Sequence, residues 1–372
     1  MSSNPKSYRY SRQIQLQNFG IQAQNKLNES KVLVVGAGAL GCPVLSYLTA
    51  AGIGKIGIVD GDIIELSNLH RQVLYTTENI GESKAFVAME RLQAMNPDID
   101  IEVFETYLST DNAFEIVEDY DILIDGTDNF PTRYLVNDVC VLRDKINIHG
   151  SIFQYSGQVS VFNYLNSDGK RGPNYRDLFP VPPSPDEVVS CAEGGVVGAL
   201  PGIIGSTMAM ECIKVLTGIG SVLSGKLQQT DSLTGASHLL TFTADVANPL
   251  TGERPTQFDL IDYVQFCNPS KEKTMKSINV SELKTMIANN EDFQLIDVRE
   301  TFEFDEVNMN GTLIPLGEIP TRVSEISKDK KVIIHCKMGG RSANAIGFLE
   351  QNYGFENLHN LEGGIIAWLD EN

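Results

Sequence analysis

Two stretches of this chain place reactive or ligand-binding residue types at a spacing that can do chemistry. The first is Gly36-Ala37-Gly38-Ala39-Leu40-Gly41, set between the apolar run Lys31–Val35 and an apolar helix-forming stretch that begins near Gly41. Gly36 and Gly38 permit a tight turn and a close backbone approach to phosphate oxygens, and Gly41 lets the helix pack on the strand. The helix N-terminus offers unpaired N–H groups to an anion. A second apolar run, Lys55–Val59, ends at Asp60, where a carboxylate can take a ribose hydroxyl. These features predict a nucleotide pocket, and taken alone they favour a dinucleotide cofactor. The second stretch is Cys336-Lys337-Met338-Gly339-Gly340-Arg341-Ser342, which follows the run Lys331–His335 and precedes a helix-forming segment over 343–351. A thiol after a strand, wrapped by backbone N–H groups at a helix N-terminus, is stabilised as thiolate, and Arg341 adds a positive charge. A structural cysteine has no need of such a loop.

Other residues surround these two. After Asp60 the chain reads Gly61-Asp62-Ile63-Ile64-Glu65-Leu66-Ser67-Asn68-Leu69-His70-Arg71-Gln72, and Lys84 follows. Arginine grips phosphate oxygens with a planar fork and lysine supplies a mobile point charge, so this loop suits triphosphate chemistry better than hydride transfer. By itself, Lys84 reads as a surface lysine of an amphipathic helix over 83–95. The run Asp121-Ile122-Leu123-Ile124-Asp125 is another buried strand, followed by Gly126-Thr127-Asp128-Asn129. An acid at that edge faces the ligand crevice, so Asp128 can hold Mg2+ or can cap the next helix through an Asx turn. Cys191 lies between the Pro/Gly-rich loop 166–185 and Gly194-Gly195, where a thiol can reach a substrate; an inert buried cysteine is the other reading. In Arg9-Tyr10-Ser11-Arg12-Gln13, two arginines beside a tyrosine read as a solvated face, with a phosphate role left open.

The elements that must position these groups alternate as strand, helix, strand, which predicts an α/β architecture. Residues 158–164 alternate enough to continue the sheet in antiparallel sense, and helix-compatible sequence runs over 197–217, with Pro201 either a break or an early-turn residue. A mixed Rossmann-like sheet is therefore expected over 1–250, a linker over 251–274, and a small second α/β domain over 275–372. A length of 372 residues accommodates both cores. Six dispersed cysteines without a CxxC pair argue against a disulfide framework and against a self-evident zinc site. The net charge of −19 argues against nonspecific nucleic-acid binding. No apolar run reaches membrane-spanning length and no secretory leader is apparent, so a cytoplasmic location is expected.

Residues 1–250 resemble the MoeB/ThiF family, bacterial relatives of ubiquitin-activating enzymes, through Arg9–Gln13, Gly36–Gly41, Asp60-Gly61-Asp62, the loop 67–72, Lys84 and Thr127-Asp128-Asn129. Residues from 275 resemble a single rhodanese domain, through Asp297-Val298-Arg299 and the loop Cys336–Arg341. The fused order resembles proteins that adenylate and sulfurate small sulfur carriers. The resemblance implies ATP rather than NAD. Asp60 would bind ribose, and Asn68, Arg71 and Lys84 would contact phosphates. Gly36, Gly38, Ala39, Gly41, Asp62, Ser67, Leu69, His70 and Asn129 would complete the nucleotide site. Asp128 would hold Mg2+, and Arg12 would reach the ATP site of the other subunit in a homodimer.

The implied reaction is attack by a carrier protein's C-terminal Gly-Gly carboxylate on the α-phosphate. Cys336 would then carry a persulfide within the loop Lys337, Met338, Gly339, Gly340 and Arg341, and Cys191 would resolve the acyl disulfide. The sulfur donor would be a cysteine desulfurase or thiosulfate. A molybdopterin-type carrier is the first expectation. Thiamine-type or tRNA-thiolation carriers, adenylation with a rhodanese docking module, and an oxidoreductase are the alternatives. Two departures stand out. The family's first pair of zinc cysteines falls where this chain has Asn174 and Asp177, and only Cys267 lies near the second pair, so no zinc site is expected. Residues 308–315 also lack the histidine usual in that rhodanese turn.

Overall fold

In this computed structural model residues 8–183, 195–268 and 275–370 are described. The chain divides into two compact units, Met1–Pro269 and Ser270–Asn372.

The first unit is built on β1 (Lys31–Val35), β2 (Lys55–Val59), β3 (Asp100–Phe104), β4 (Ile122–Asp125), β5 (Ile146–Phe153), β6 (Ser156–Phe162), β7 (Lys226–Asp231) and β8 (Ser237–Thr241). They form one eight-stranded sheet in the order β3-β2-β1-β4-β5-β6-β7-β8. Pairings from β3 across to β5 are parallel, and those from β5 to β8 are antiparallel, which is the mixed sheet expected. β1 is central and buried on both faces. Val32 and Val34 pack with the helices Gly41–Ala51, Lys84–Met95 and Leu200–Thr217, while Leu33 and Val35 pack with Phe130–Leu142. That is why β1 is a continuous apolar run and not an alternating one. Pro201 sits in the first turn of Leu200–Thr217, where its missing N–H costs nothing.

Residues 251–267 do not run free between the units, as the expected linker would. The helix Tyr263–Cys267 packs on Phe130–Leu142, and the segment before it is stitched down by polar side chains. Asn174 and Asp177 begin this stitching with a capping box on the helix Tyr175–Leu178. Asn174 Nδ2 also donates to Thr251 Oγ1 (3.0 Å), and Asp177 Oδ1 accepts from Asp245 N (2.9 Å) and Asn248 Nδ2 (2.7 Å). Behind them Asp138, fully buried, accepts Arg176 Nε (2.8 Å) and Nη2 (2.7 Å), Gln257 Nε2 (2.7 Å) and the Tyr263 hydroxyl (2.9 Å). The Arg176 guanidinium lies over the rings of Phe266 and Tyr134. Residues 269–274, the rest of the expected linker, lie outside the described residues.

The second unit holds β9 (Ser277–Ile278), β10 (Phe293–Asp297), β11 (Thr312–Leu313), β12 (Lys331–His335) and β13 (Leu358–Leu361). They form an all-parallel sheet in the order β11-β10-β12-β13-β9. β10 and β12 end side by side, so Asp297 and His335 are register partners and the loop after His335 opens at the sheet's C-terminal edge.

The buried Asp138–Arg176 pair makes a stability test. Asp138→Ala leaves a guanidinium buried without its carboxylate and should lower the unfolding free energy of the full chain by about 3–5 kcal/mol in a urea titration. A loss under about 1 kcal/mol would show that the stitching bears little of the fold.

Candidate nucleotide and persulfide sites

The strand order reverses on either side of β1, and the crevice at the C-terminal ends of β1 and β4 is where an open parallel sheet binds ligands. A cavity lies there, lined by Gly36, Gly38, Ala39, Asp60, Lys84 and Asp128 among others. Gly36 has φ +92°, and its would-be Cβ faces the Gly126 carbonyl at 3.0 Å, so the turn after β1 and the turn after β4 are packed backbone to backbone. A Cβ on Gly41 would drive into the Gly36 carbonyl oxygen, so the helix can start there only on glycine. Asp60, nearly buried, accepts Ala37 N (2.7 Å) and Asp62 N (2.8 Å), which ties the glycine turn to the end of β2. Burial pushes its carboxyl up, against the pull of those two N–H groups.

Lys84 is not the surface lysine its helix pattern predicts. Its side chain is 7% exposed, and Nζ meets Asp62 Oδ2 at 2.8 Å. The Tyr107 hydroxyl donates to Asp62 Oδ1 at 2.5 Å. Burial raises the Asp62 carboxyl, but Lys84 and Tyr107 outweigh it and hold Asp62 below its ordinary range. The expected phosphate loop divides. Arg71 lines the cavity, with Nη1 donating to Ser67 O (2.8 Å), whereas Ser67, Asn68, Leu69 and His70 build the turn behind it. Asn68 Oδ1 accepts Glu65 N (3.1 Å), Leu69 packs on the core, and His70 Nδ1 sits 3.0 Å from Ser67 O. Asp128 is exposed at the cavity wall, and no hydrogen bond or ion pair engages its carboxylate among the described residues. The cap of the following helix is made by Asn129, whose Oδ1 accepts Thr132 N at 2.9 Å, so the Asx-turn reading of Asp128 is overturned.

The sequence reading missed several cavity residues. Tyr107 follows the C-terminal end of β3, on the ligand side of a parallel sheet, and that position was a usable signal. Gln72 and Arg133 also line the cavity, and Gln72 Oε1 and Arg133 Nε are buried without a hydrogen-bond partner among the described residues. Beneath the Asp128 loop, Asp125 Oδ1 accepts Thr127 N (3.1 Å) and Oγ1 (2.6 Å), and Oδ2 meets His149 Nδ1 at 2.8 Å. Burial keeps the imidazole from charging, so it serves as a neutral donor holding Asp125 and the loop above it.

The residues on either side of Arg12 pack at the C-terminal end of the helix Gly41–Ala51, the end away from the glycine turn. Tyr10 is buried with its ring against Gly52 and its hydroxyl accepting Asn96 Nδ2 (2.8 Å), and Gln13 Nε2 donates to Ala51 O (2.9 Å). Arg12 itself is exposed, has no side-chain partner among the described residues and does not line the cavity of its own chain. Cys191 lies outside the described residues; the described chain resumes at Gly195, and Val196 lines the cavity.

In the second unit Cys336 is 2% exposed. Gly339 N donates to its Sγ at 3.2 Å, and Gly339 takes φ +100°, which brings that N–H around. The Ser342 hydroxyl lies 3.5 Å from Sγ and also reaches Asn360 Oδ1 (2.6 Å) and Gly339 O (3.0 Å). Burial raises the thiol, but the Ser342 hydroxyl and the N–H groups of Ser342, Met338 and Gly339 more than offset it, so Cys336 titrates below an ordinary thiol. Lys337, Met338 and Gly340 are exposed on the rim. Arg341 brings its positive charge to bear on Cys336, and its Nη1 and Nη2 also bind Glu303 Oε2 (2.6 Å) and Oε1 (2.7 Å). Below the loop Arg299 forks onto Asp297 and donates to Val307 O (2.7 Å), which makes the Asp-Val-Arg motif a buried brace.

A lowered thiol converts to thiolate at a pH below the ordinary thiol range, and this is measurable. The thiolate absorbance of the full chain, taken against a Cys336→Ser reference, should rise at a pH below that of a free cysteine. Ser342→Ala should move the midpoint upward. An unmoved midpoint would assign the stabilisation to the backbone N–H groups alone.

Comparison with known proteins agrees with this geometry. Residues 10–250 match the ThiF family and residues 279–371 the rhodanese-like domain. A Thermus thermophilus protein described as a sulfur carrier protein adenylyltransferase is 51% identical over 259 residues, 70% of this chain and 96% of its own length. The probable adenylyltransferase/sulfurtransferase MoeZ of Mycobacterium tuberculosis is 41% identical, across 97% of this chain and 92% of its own. The adenylyltransferase and sulfurtransferase MOCS3 of Culex quinquefasciatus is 38% identical, across 98% and 88%. A crystal structure of E. coli MccB with ATP superposes at a TM-score of 0.57 with 22% identity, covering 66% of this chain and 74% of that one, and shows the same fold. The chain therefore belongs to the ThiF family, and with its C-terminal rhodanese-like domain it is an adenylyltransferase and sulfurtransferase.

Proposed function

We propose that the chain activates the C-terminal carboxylate of a ubiquitin-like sulfur-carrier protein ending in Gly-Gly, and then delivers sulfur from Cys336 to give a thiocarboxylate. ATP use follows from the family, and the observation that carries the rest is the set of groups at the cavity. Lys84, Arg71 and Arg133 bring three cations to the end of the glycine turn, where a helix N-terminus already favours anions. Hydride transfer builds no charge at phosphorus, whereas displacement there needs neutralisation and alignment. The unpartnered Gln72 Oε1 and Arg133 Nε each carry a burial cost of about 1–3 kcal/mol that a bound ligand or water would relieve.

The groups act in order. A carrier carboxylate oxygen attacks the α-phosphorus of ATP, the bond to pyrophosphate breaks, and an acyl adenylate forms. Arg71 and Lys84 hold the phosphates, and Lys84 must exchange Asp62 for phosphate oxygens as ATP enters. Asp60 takes the ribose. Asp128, whose carboxylate is unengaged among the described residues, would hold Mg2+ with the oxygen donor that ion prefers, and the ion would supply charge neutralisation. The terminal sulfur of a Cys336 persulfide next attacks the acyl carbon and AMP leaves, giving an acyl disulfide. Cys191 thiolate attacks the Cys336 sulfur of that disulfide, so that thiocarboxylate leaves and a Cys336–Cys191 disulfide remains for a thiol reductant. Without added thiol, the wild-type chain should release one equivalent of thiocarboxylate and Cys191→Ser none.

Arg12 is assigned to the neighbouring subunit's site in a homodimer. The helix Leu200–Thr217 supports this, since it exposes Ile203 (48%) and Met210 (55%) one heptad apart on a single face.

The experiment that tests the whole reading is intact mass spectrometry of Gly-Gly carriers after incubation with the chain, MgATP and a sulfur donor. A gain matching one oxygen-to-sulfur exchange is expected, and no change with any carrier would overturn the reading. Lys84→Met should slow carrier-dependent ATP–pyrophosphate exchange by about 100-fold or more. Arg12→Ala should be similarly defective alone, yet mixing it with Lys84→Met should restore exchange, because one site of the mixed dimer then has both groups. No restoration would return Arg12 to its own subunit.

A further inference from the structure

The Ser342 hydroxyl has one proton and three acceptors within reach. Its Oγ lies 2.6 Å from Asn360 Oδ1, 3.0 Å from Gly339 O and 3.5 Å from Cys336 Sγ, and Ser342 is fully buried. Asn360 comes from β13, 18 residues beyond Ser342, and is the register partner of Ile334, two residues before Cys336. Its backbone is fixed in the sheet, where Asn360 N donates to Lys276 O at 2.8 Å. Its amide fits one way round. Nδ2 donates to Gly339 O at 3.2 Å, so Oδ1 is the atom turned to Ser342, and exchanging the two would set oxygen against the Gly339 carbonyl. The shortest of the three contacts thus belongs to Asn360, and the sulfur has the longest.

We propose that Asn360 is a positioning residue for sulfur uptake: by taking the Ser342 hydroxyl proton it leaves the Cys336 sulfur to the backbone N–H groups of the loop, and so preserves its strength as a nucleophile. This rests on the reading of Cys336 as the sulfur carrier. In uptake the Cys336 thiolate attacks a donor's outer sulfur, the donor's S–S bond breaks with its electron pair leaving on the donor, and Cys336 becomes the persulfide. A thiolate that accepts a further hydrogen bond forms more easily but attacks more slowly. The N–H groups are set by the backbone, whereas a hydroxyl rotates to its best acceptor, so the group competing for it decides where it points. Without Asn360 the acceptors left are the neutral Gly339 carbonyl and the thiolate, and the charged one is stronger. The charged and titratable groups near the loop are the same in either case: Arg341 with Glu303, Asp297 with Arg299, Lys337, and His335, which burial keeps from charging.

The test is the pH profile of iodoacetamide alkylation of the full chain, read by mass spectrometry at the Cys336 peptide, for the wild type, Asn360→Leu, Asn360→Asp, Ser342→Ala and Ser342→Ala/Asn360→Leu. Asn360→Leu, close in size but without an acceptor, should move the Cys336 midpoint down by about half a pH unit and lower the plateau rate by about 1.5-fold or more. Asn360→Asp keeps an oxygen for the hydroxyl and adds negative charge, so its midpoint should rise. In the Ser342→Ala background Asn360→Leu should change nothing. A loop merely loosened by the substitution loses N–H contacts to the sulfur and shows the opposite sign, a raised midpoint. A midpoint unmoved or raised in Asn360→Leu, a midpoint lowered in Asn360→Asp, or an equal shift with and without the Ser342 hydroxyl would overturn the proposal alone. Sulfur loading is read separately, as cyanide-labile sulfur on Cys336 of the wild type. Its absence would overturn the carrier reading and the proposal with it.

Discussion

The first unit depends on one close backbone contact. The turn after β1 meets the turn after β4 with Gly36 against Gly126, and the helix from Gly41 starts against the Gly36 carbonyl. A Cβ at Gly41 would overlap the Gly36 carbonyl and so push the helix N-terminus away from the crevice, and Gly36 holds a φ of +92° that favours glycine. Because the strand order reverses there, helices leave on opposite faces and an open crevice remains between them. Every other part of the nucleotide site is built outward from that contact. Asp60 ties the turn to β2, and Asp125 holds the loop that carries Asp128.

Charge in this molecule is managed in pairs, and the pairs differ in purpose by what else can reach them. Asp138–Arg176 is wholly buried, surrounded by Tyr263, Gln257 and aromatic rings, and nothing can exchange with it. Its role is mechanical, joining residues 251–267 to the sheet. Asp297–Arg299 does the same beneath the Cys336 loop. Lys84–Asp62 is different, since Asp62 is about half exposed and the pair faces a cavity. A pair open to water on one side is weakly held, so a polyanionic ligand can take the lysine at modest cost. Arg341–Glu303 lies between these cases: partly exposed, but locked by two short contacts.

The two units set a helix N-terminus against different groups. In the first unit the helix Gly41–Ala51 begins at the edge of the cavity. In the second the Cys336 sulfur accepts Gly339 N and sits at the start of the helix Gly340–Tyr353. The first is an open cavity lined by Lys84, Arg71 and Arg133. The second needs a closed loop, and Gly339 in the left-handed region closes it.

What the sequence by itself determined follows from short-range constraints. The glycine turn, the acid at the end of β2, the mixed sheet and the cysteine loop were all legible, because each depends on backbone conformations that only certain residues adopt over a few positions. What only the tertiary structure decided involves partners far apart in the chain. Lys84 lies on a helix whose pattern looks half-exposed, but Asp62, 22 residues earlier, draws it inward. Arg341 adds its charge beside Cys336, and only the tertiary structure shows that Glu303, 38 residues away, also grips it. Asn68 has the residue type for a phosphate contact, yet its side-chain oxygen closes its own turn, and Arg133 lines the cavity without any motif that marks it. The supposed linker was misread for the same reason: its polar residues look solvated until Asp138 and Asp177 appear beneath them. A side chain's type limits the chemistry it can do; which group it meets is set by how distant segments pack.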